Sequence, residues 1–95
     1  MSYRYLTIDV DGEEVHVSAA EKPTLAEMQE IVWGNIQLVQ CLYEGERKSM
    51  IVNEDGKLQG LDVNHKATYM YGDLRGVTGD FVVGRAIVFK DFELD

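Results

Sequence analysis

YRYLTIDVDGEEVHVSAA, residues 3–20, decides the fold. Two apolar-alternating stretches flank Asp11-Gly12, and a two-residue Asp-Gly loop favours a type I′ turn, whose central residues both need positive φ. That turn predicts a β-hairpin in which Val10 faces Glu13, Ile8 faces Val15, Leu6 faces Val17 and Arg4 faces Ala19. Leu6, Ile8, Val10, Val15 and Val17 then form an apolar face. Tyr3, Tyr5, Thr7, Asp9, Glu14, His16 and Ser18 form a wet one. The same register sets Asp9 against Glu14, a like-charge pair that costs stability.

Downstream of the hairpin, Thr24 and Glu27 form a capping-box pair. Leu25, Met28 and Val32 repeat at helical period beside Ile31. Gly34 is the expected left-handed residue that ends this helix. Ile36 to Tyr43 has apolar members in both alternating sets, so it reads as a strand covered on both faces. Glu44-Gly45-Glu46-Arg47 is a turn, Met50-Ile51-Val52 a short strand, and Leu58 and Leu61 are isolated anchors. Asn64 caps a short helix over His65–Tyr71, closed by Gly72. Residues 73–80 form a loop before a strand over Phe81–Phe89, with Gly84 as a bulge or close-approach point.

Strand, strand, helix, strand, strand, short helix, strand predicts an α+β domain with a five-stranded mixed sheet. The order matches a β-grasp-like arrangement, with the last strand parallel to the first. A ferredoxin-like split βαβ is the alternative. The expected core is Leu6, Ile8, Val15, Val17, Leu25, Met28, Val32, Leu38, Ile51, Val83 and Ile87.

The 95 residues suit one domain, 1–95. Hydrophobic residues make up 45% and there is one Pro, which excludes a disordered chain. No run approaches the roughly 18 apolar residues of a membrane span. The N-terminal stretch has no secretion-signal pattern, so a cytoplasmic setting is expected. The net charge of −8 repels a phosphate backbone and argues against direct binding of nucleic acid. Residues 1–47 carry net −6, which permits an acidic face that docks on a basic partner or imitates DNA.

Chemistry-bearing residues are sparse. Cys41 is the single cysteine and sits mid-strand, which suits a buried inert thiol. His16 falls on the wet face of the hairpin. His65 has no second ligand at metal spacing, so neither a metal nor a cofactor is expected. NEDGK lacks the spaced carboxylates of a calcium loop. The glycines of RGVTGD precede a strand rather than a helix and make a weak anion-site candidate. Asn53, Glu54, Asn64 and Thr68 lie at element ends between apolar residues. Capping and turn bonding explain such residues. A hydrogen-bonding pocket for a small ligand is the other reading, with Gln29 an outlying member. Trp33 at the end of the first helix is a candidate protein contact, because aromatic rings are enriched at interface hot spots.

Three segments resemble one family. LAEMQEIVWGNIQLV (25–39) is similar to Leu-x-x-(Leu/Met)-Gln-x-(Leu/Ile)-Val-Gly-Gly-aromatic-Ile-Glu. VNEDGKLQGLDVNHKAT (52–68) is similar to Val-Asn-Glu-(Glu/Asp)-Gly-Lys-Leu-x-Gly-Leu-Pro-x-Asn-x-x-Ala-Thr. GDFVVGRAIVF (79–89) resembles the closing Gly-Asp-x-(Ile/Val)-Val-Gly strand. The family is one of small domains of unknown function, common on bacteriophage and other mobile-element genomes. Gln29, Val32, Gly34 and Ile36 match the first motif. Asn53, Glu54, Gly56, Lys57, Leu61, Asn64, Ala67 and Thr68 match the second, and Gly79, Asp80 and Gly84 the third. Trp33 stands where the pattern has its first Gly, Asn35 replaces the aromatic, Gln37 the Glu and Asp62 the Pro. The resemblance implies a viral accessory protein in a host bacterial cytoplasm. The expected function is a non-enzymatic binding module that counters a host defence. It would grip a host defence protein or sequester a nucleotide-like signal, as a monomer or a homo-oligomer. An acidic DNA mimic of the anti-restriction kind is one alternative, and a small enzyme or component of a viral complex is another.

Overall fold

Two helices lie on opposite faces of one antiparallel sheet in the computed structural model, which describes residues 2–75 and 81–93. The elements are β1 (Tyr3–Ile8), β2 (Glu14–Ala19), α1 (Leu25–Val32), β3 (Ile36–Tyr43), β4 (Glu46–Asn53), α2 (His65–Arg75) and β5 (Ala86–Phe89). The α+β class, the five strands and the two helices are as expected.

The strand order is β2-β1-β5-β4-β3. Among the described residues every strand pairing is antiparallel, including β1 with β5. The parallel pairing of first and last strands is therefore corrected, and with it the mixed sheet of a β-grasp. The split βαβ alternative is corrected by strand order: it sets one strand between the two that flank each helix, whereas β2 and β3 lie at opposite edges and β4 and β5 are direct neighbours. The chain runs from the β2 edge past α1 to the β3 edge. It then returns past α2 to insert β5 between β1 and β4.

The hairpin register differs by one residue from the expectation. Tyr5 lies opposite Val17, Leu6 opposite His16 and Ile8 opposite Glu14. The turn is a three-residue loop, Val10-Asp11-Gly12. Asp9 N–H donates to Glu13 O and Gly12 N–H to Asp9 O, both at 2.9 Å, and Gly12 takes φ 88°. This is a type I turn closed by a left-handed glycine, so Asp11 need not adopt positive φ. A one-residue slip moves every side chain of a strand to the other face. Val15 and Val17 therefore share a face with Tyr5 and Thr7, while Leu6 and Ile8 pack toward α2 with Met50, Val52, Ala67, Met70 and Val88. Tyr5 packs toward α1 with Met28, Val32, Ile51, Ile87 and Phe89.

Of the expected core, Leu6, Ile8, Met28, Val32, Ile51, Val83 and Ile87 are buried and Val17 is half-buried. Val15, Leu25 and Leu38 are exposed, and each for a stated reason. Val15 and Leu38 lie on edge strands, next to rather than among the residues there that pack on the α1 side, Val17 and Ile36. Leu25 is the first residue of that helix. Leu58 is also exposed rather than an anchor, whereas Leu61 is half-buried against Gly84.

Local signals fared well where they did not depend on register. The Thr24–Glu27 capping box is present, with bonds of 2.9 and 3.1 Å. Gly84 takes φ 75° and leaves no room for a side chain beside Leu61. The left-handed residue at the end of α1 is Trp33, not Gly34. Gly34 N–H donates to Gln29 O at 3.0 Å, the six-to-one bond of a Schellman turn. Gly34 is needed for a different reason: a Cβ there would lie 2.8 Å from Asn53 Nδ2. β4 is longer than expected, α2 runs through Gly72 to Arg75, and β5 begins only at Ala86. Before it, Val83 makes a single bridge to Val63. The RGVTGD glycines and the Gly79-Asp80 match lie outside the described residues.

Candidate functional site

Antiparallel pairing of β5 with both β1 and β4 brings the C-terminal ends of β1 and β4 to one end of the sheet. Asn53 closes β4 there. Asn64 reaches the same end through bonds to Ile8 and Gly84. Buried amides must be satisfied, and these are. Asn53 Nδ2 donates to Val32 O and to Gln59 Oε1, both at 2.9 Å, while its Oδ1 accepts from Asp55 N at 2.8 Å. Asn64 is fully buried. Its Nδ2 donates to Ile8 O at 2.9 Å and Gly84 O at 2.8 Å, and its Oδ1 caps α2 by accepting from Ala67 N at 3.0 Å.

Thr68 is committed in the same way. Its Oγ1 accepts from Val82 N at 2.8 Å and donates to Val82 O at 3.3 Å. Gln29 is half-buried in α1, and its carbonyl closes the Schellman turn. Among the four clustered candidates, capping and clamping thus occupy Asn53, Asn64 and Thr68. Glu54 is the exception: its side chain is exposed, while its N–H donates to Asn35 O at 2.8 Å.

A cavity of about 110 Å³ opens beside Glu54, between the β3–β4 ladder and the chain entering β5. Val39, Val52, Val82 and Val83 make its apolar wall. Gln37, Asn53, Glu54, Lys57, Tyr71 and Phe81 supply the polar and aromatic lining. Lys57 Nζ sits 4.3 Å from the centroid of the Phe81 ring, within cation–π range. Two nominated residues, Asn53 and Glu54, belong to this cavity; Asn64, Thr68 and Gln29 are absent from its lining. Lys57 and Phe81 were missed because sequence offers no contact between a turn and a strand entry. Gln37 and Val39 share a strand face by alternation, a signal that the edge position of β3 made ambiguous.

Trp33 is 59% exposed, with the Arg85 guanidinium 5.6 Å from its ring centroid. Cys41 is buried, and burial pushes its thiol up to about 11. It is not poised as a nucleophile at neutral pH. His16 is half-exposed and bonds Glu14 at 3.1 Å. Lys66 holds the other Glu14 oxygen at 2.5 Å and keeps the pKa of that carboxyl below its ordinary value. Among the described residues, no group of three His, Cys, Asp or Glu side chains could hold a metal. No described helix is long and apolar enough to cross a membrane.

The fold and cavity define a small α+β domain with a single-ring-sized pocket at one end of an antiparallel sheet. The chain belongs to the family described as "Domain of unknown function (DUF3846)", whose model matches residues 3–93. Neither a curated protein nor a solved structure matches it.

Proposed function

We propose that this protein is a non-enzymatic binding module whose cavity beside Glu54 receives one anchor side chain of a partner protein. The observation that carries this reading is the size and lining of the cavity. At about 110 Å³ it is well below the ~300–1,000 Å³ of pockets for drug-sized ligands. It admits one ring or branched side chain rather than a whole nucleotide signal. Valines supply the wall, and Glu54 and Lys57 supply one acceptor and one donor. An aromatic anchor with a polar tip suits that combination. Trp33, exposed at the end of α1, is a second contact on the surface. The net charge of −8 favours a partner with a basic surface. The resemblance to mobile-element domains supports a host defence protein as that partner, met in the bacterial cytoplasm.

The test is capture from host lysate by wild-type protein, followed by affinity measurement with the captured partner. Val52→Trp fills the cavity and Glu54→Lys reverses its acceptor. Both should weaken the complex about tenfold or more, with folding midpoints close to wild type for Glu54→Lys. Undiminished affinity in both variants would remove the cavity from the mechanism. Saturable binding of a nucleotide at this site would overturn the protein-anchor reading in favour of sequestration.

A further inference from the structure

We propose that β3 is a self-association edge, through which two copies of this chain join their sheets antiparallel about a two-fold axis. Both outer strands of the sheet present unpaired backbone, but they differ in protection. Edge strands are ordinarily guarded by charge, Pro or bulges. β2 carries Glu14 and His16, with Lys66 held against Glu14. β3 is eight residues long, Ile-Gln-Leu-Val-Gln-Cys-Leu-Tyr, with no charged residue and no Pro. Leu38 is 44% exposed on it. Among the described residues no strand covers its outer side.

The free groups follow from the hairpin. Glu44 and Gly45 have φ 52° and 79°, a two-residue turn that makes Tyr43 and Glu46 a hydrogen-bonded pair. Alternation then turns the main chain of Gln37, Val39, Cys41 and Tyr43 toward β4. The bond from Glu54 N–H to Asn35 O, 2.8 Å, fits the same phase. Ile36, Leu38, Gln40 and Leu42 therefore present their N–H and C=O outward. Those residues are self-complementary. Centred on Val39, a two-fold sets Leu38 against Gln40 and Ile36 against Leu42 of the second copy, so that every outward residue bonds another.

The self-complementary register selects a copy of this chain as the occupant, and the uncharged strand permits it. A protein of net charge −8 repels itself over most of its surface. At β3 a symmetric pairing sets no like charges opposite one another, whereas Glu14 and His16 mark the β2 edge. The pairing also extends the α1 side of the sheet, where Ile36, Leu38 and Leu42 are incompletely covered.

Sedimentation equilibrium on the full chain tests this independently of the Glu54 cavity. Wild type should give a species of twice the 10.8 kDa chain mass at concentrations of about 100 μM. The double variant Leu38→Lys with Gln40→Lys places ammonium groups opposite each other and should raise the dimer dissociation constant about tenfold or more. Mixing it with Leu38→Glu, Gln40→Glu protein should restore a heterodimer. That restoration shows that both variants fold and that the edge carries the contact. A wild-type monomer throughout, a dimer indifferent to the lysines, or a failure of the mixed pair to associate would each overturn the proposal.

Discussion

Replacing Asn64 separates a structural clamp from a ligand site, and the expected cost can be worked from its three bonds. The side chain is fully buried and bonds Ile8 O, Gly84 O and Ala67 N at 2.9, 2.8 and 3.0 Å. Asn64→Ala removes all three. Each such bond contributes about 1 kcal/mol net, and stranded buried partners add to the loss, giving roughly 3–5 kcal/mol in total. Domains have only about 5–15 kcal/mol of stability, so urea unfolding should show a large drop in midpoint. Asn64→Asp is the sharper variant. It keeps the cap on Ala67 but aims a carboxylate at two carbonyl oxygens. The native state therefore favours the protonated acid, and its folded pKa lies above the unfolded value of about 3.9. Folded protein then binds more protons than unfolded protein as pH rises through that window, so stability falls with rising pH. The variant should be less handicapped at pH ~4 than at pH ~7 relative to wild type. A loss below about 1 kcal/mol for Asn64→Ala, or a pH-independent handicap for Asn64→Asp, would refute the clamp.

Two further outcomes follow from the geometry. Trp33 holds φ 66°, a left-handed conformation that costs a residue with a Cβ about 1–2 kcal/mol; Trp33→Gly should therefore raise stability in thermal unfolding, by about 0.5–1 kcal/mol after loss of the Arg85 contact. A destabilised Trp33→Gly would show that the ring packs as core. Burial that lifts the Cys41 thiol from 9.0 to about 11 predicts slow labelling by a thiol reagent at pH 8 in native protein and fast labelling in urea. Because the folded pKa is the higher one, the associated stability is intact below the unfolded value and declines as pH climbs toward 11. Rapid native labelling would place the sulfur in reach of solvent.

The hairpin shows what sequence could and could not supply. Asp9-Val10-Asp11-Gly12 admits two loops, one with Asp11-Gly12 as a two-residue turn and one with Gly12 closing a three-residue loop. Both need glycine at position 12, so local propensity does not choose between them. The choice shifts register by one and exchanges faces. A one-sided sheet would have made alternation decisive, but α1 and α2 cover opposite faces, and both alternating sets of β1 hold packed residues: Tyr5 on one, Leu6 and Ile8 on the other. The Asp9–Glu14 opposition was the visible symptom of the wrong register. In the structure Asp9 bonds Arg85 at 3.1 Å while Glu14 bonds Lys66. Capping boxes and helix caps, which depend on four consecutive residues, needed no such long-range knowledge.

The same two-sided architecture explains why four polar residues converge without forming a site of their own. Each helix crosses a face of the sheet and must be anchored where its chain rejoins a strand. Asn53 ties the last carbonyls of α1, through Val32 O, to the end of β4. Asn64 ties the start of α2 to the end of β1 and the entry of β5. Thr68 fastens that entry again at Val82. One amide therefore serves each crossover, and both amides use their hydrogen-bonding capacity on the fold. On the proposed reading, binding at this end of the sheet falls to the cavity lining that the clamps position. Glu54 follows the Asn53 clamp directly in the chain, and Val82 and Val83 are held by Thr68 and Val63. Removing a clamp should thus disturb binding only together with stability, whereas Glu54→Lys should disturb binding alone. Under the proposed function, that difference would assign partner recognition to the cavity rather than to the asparagines.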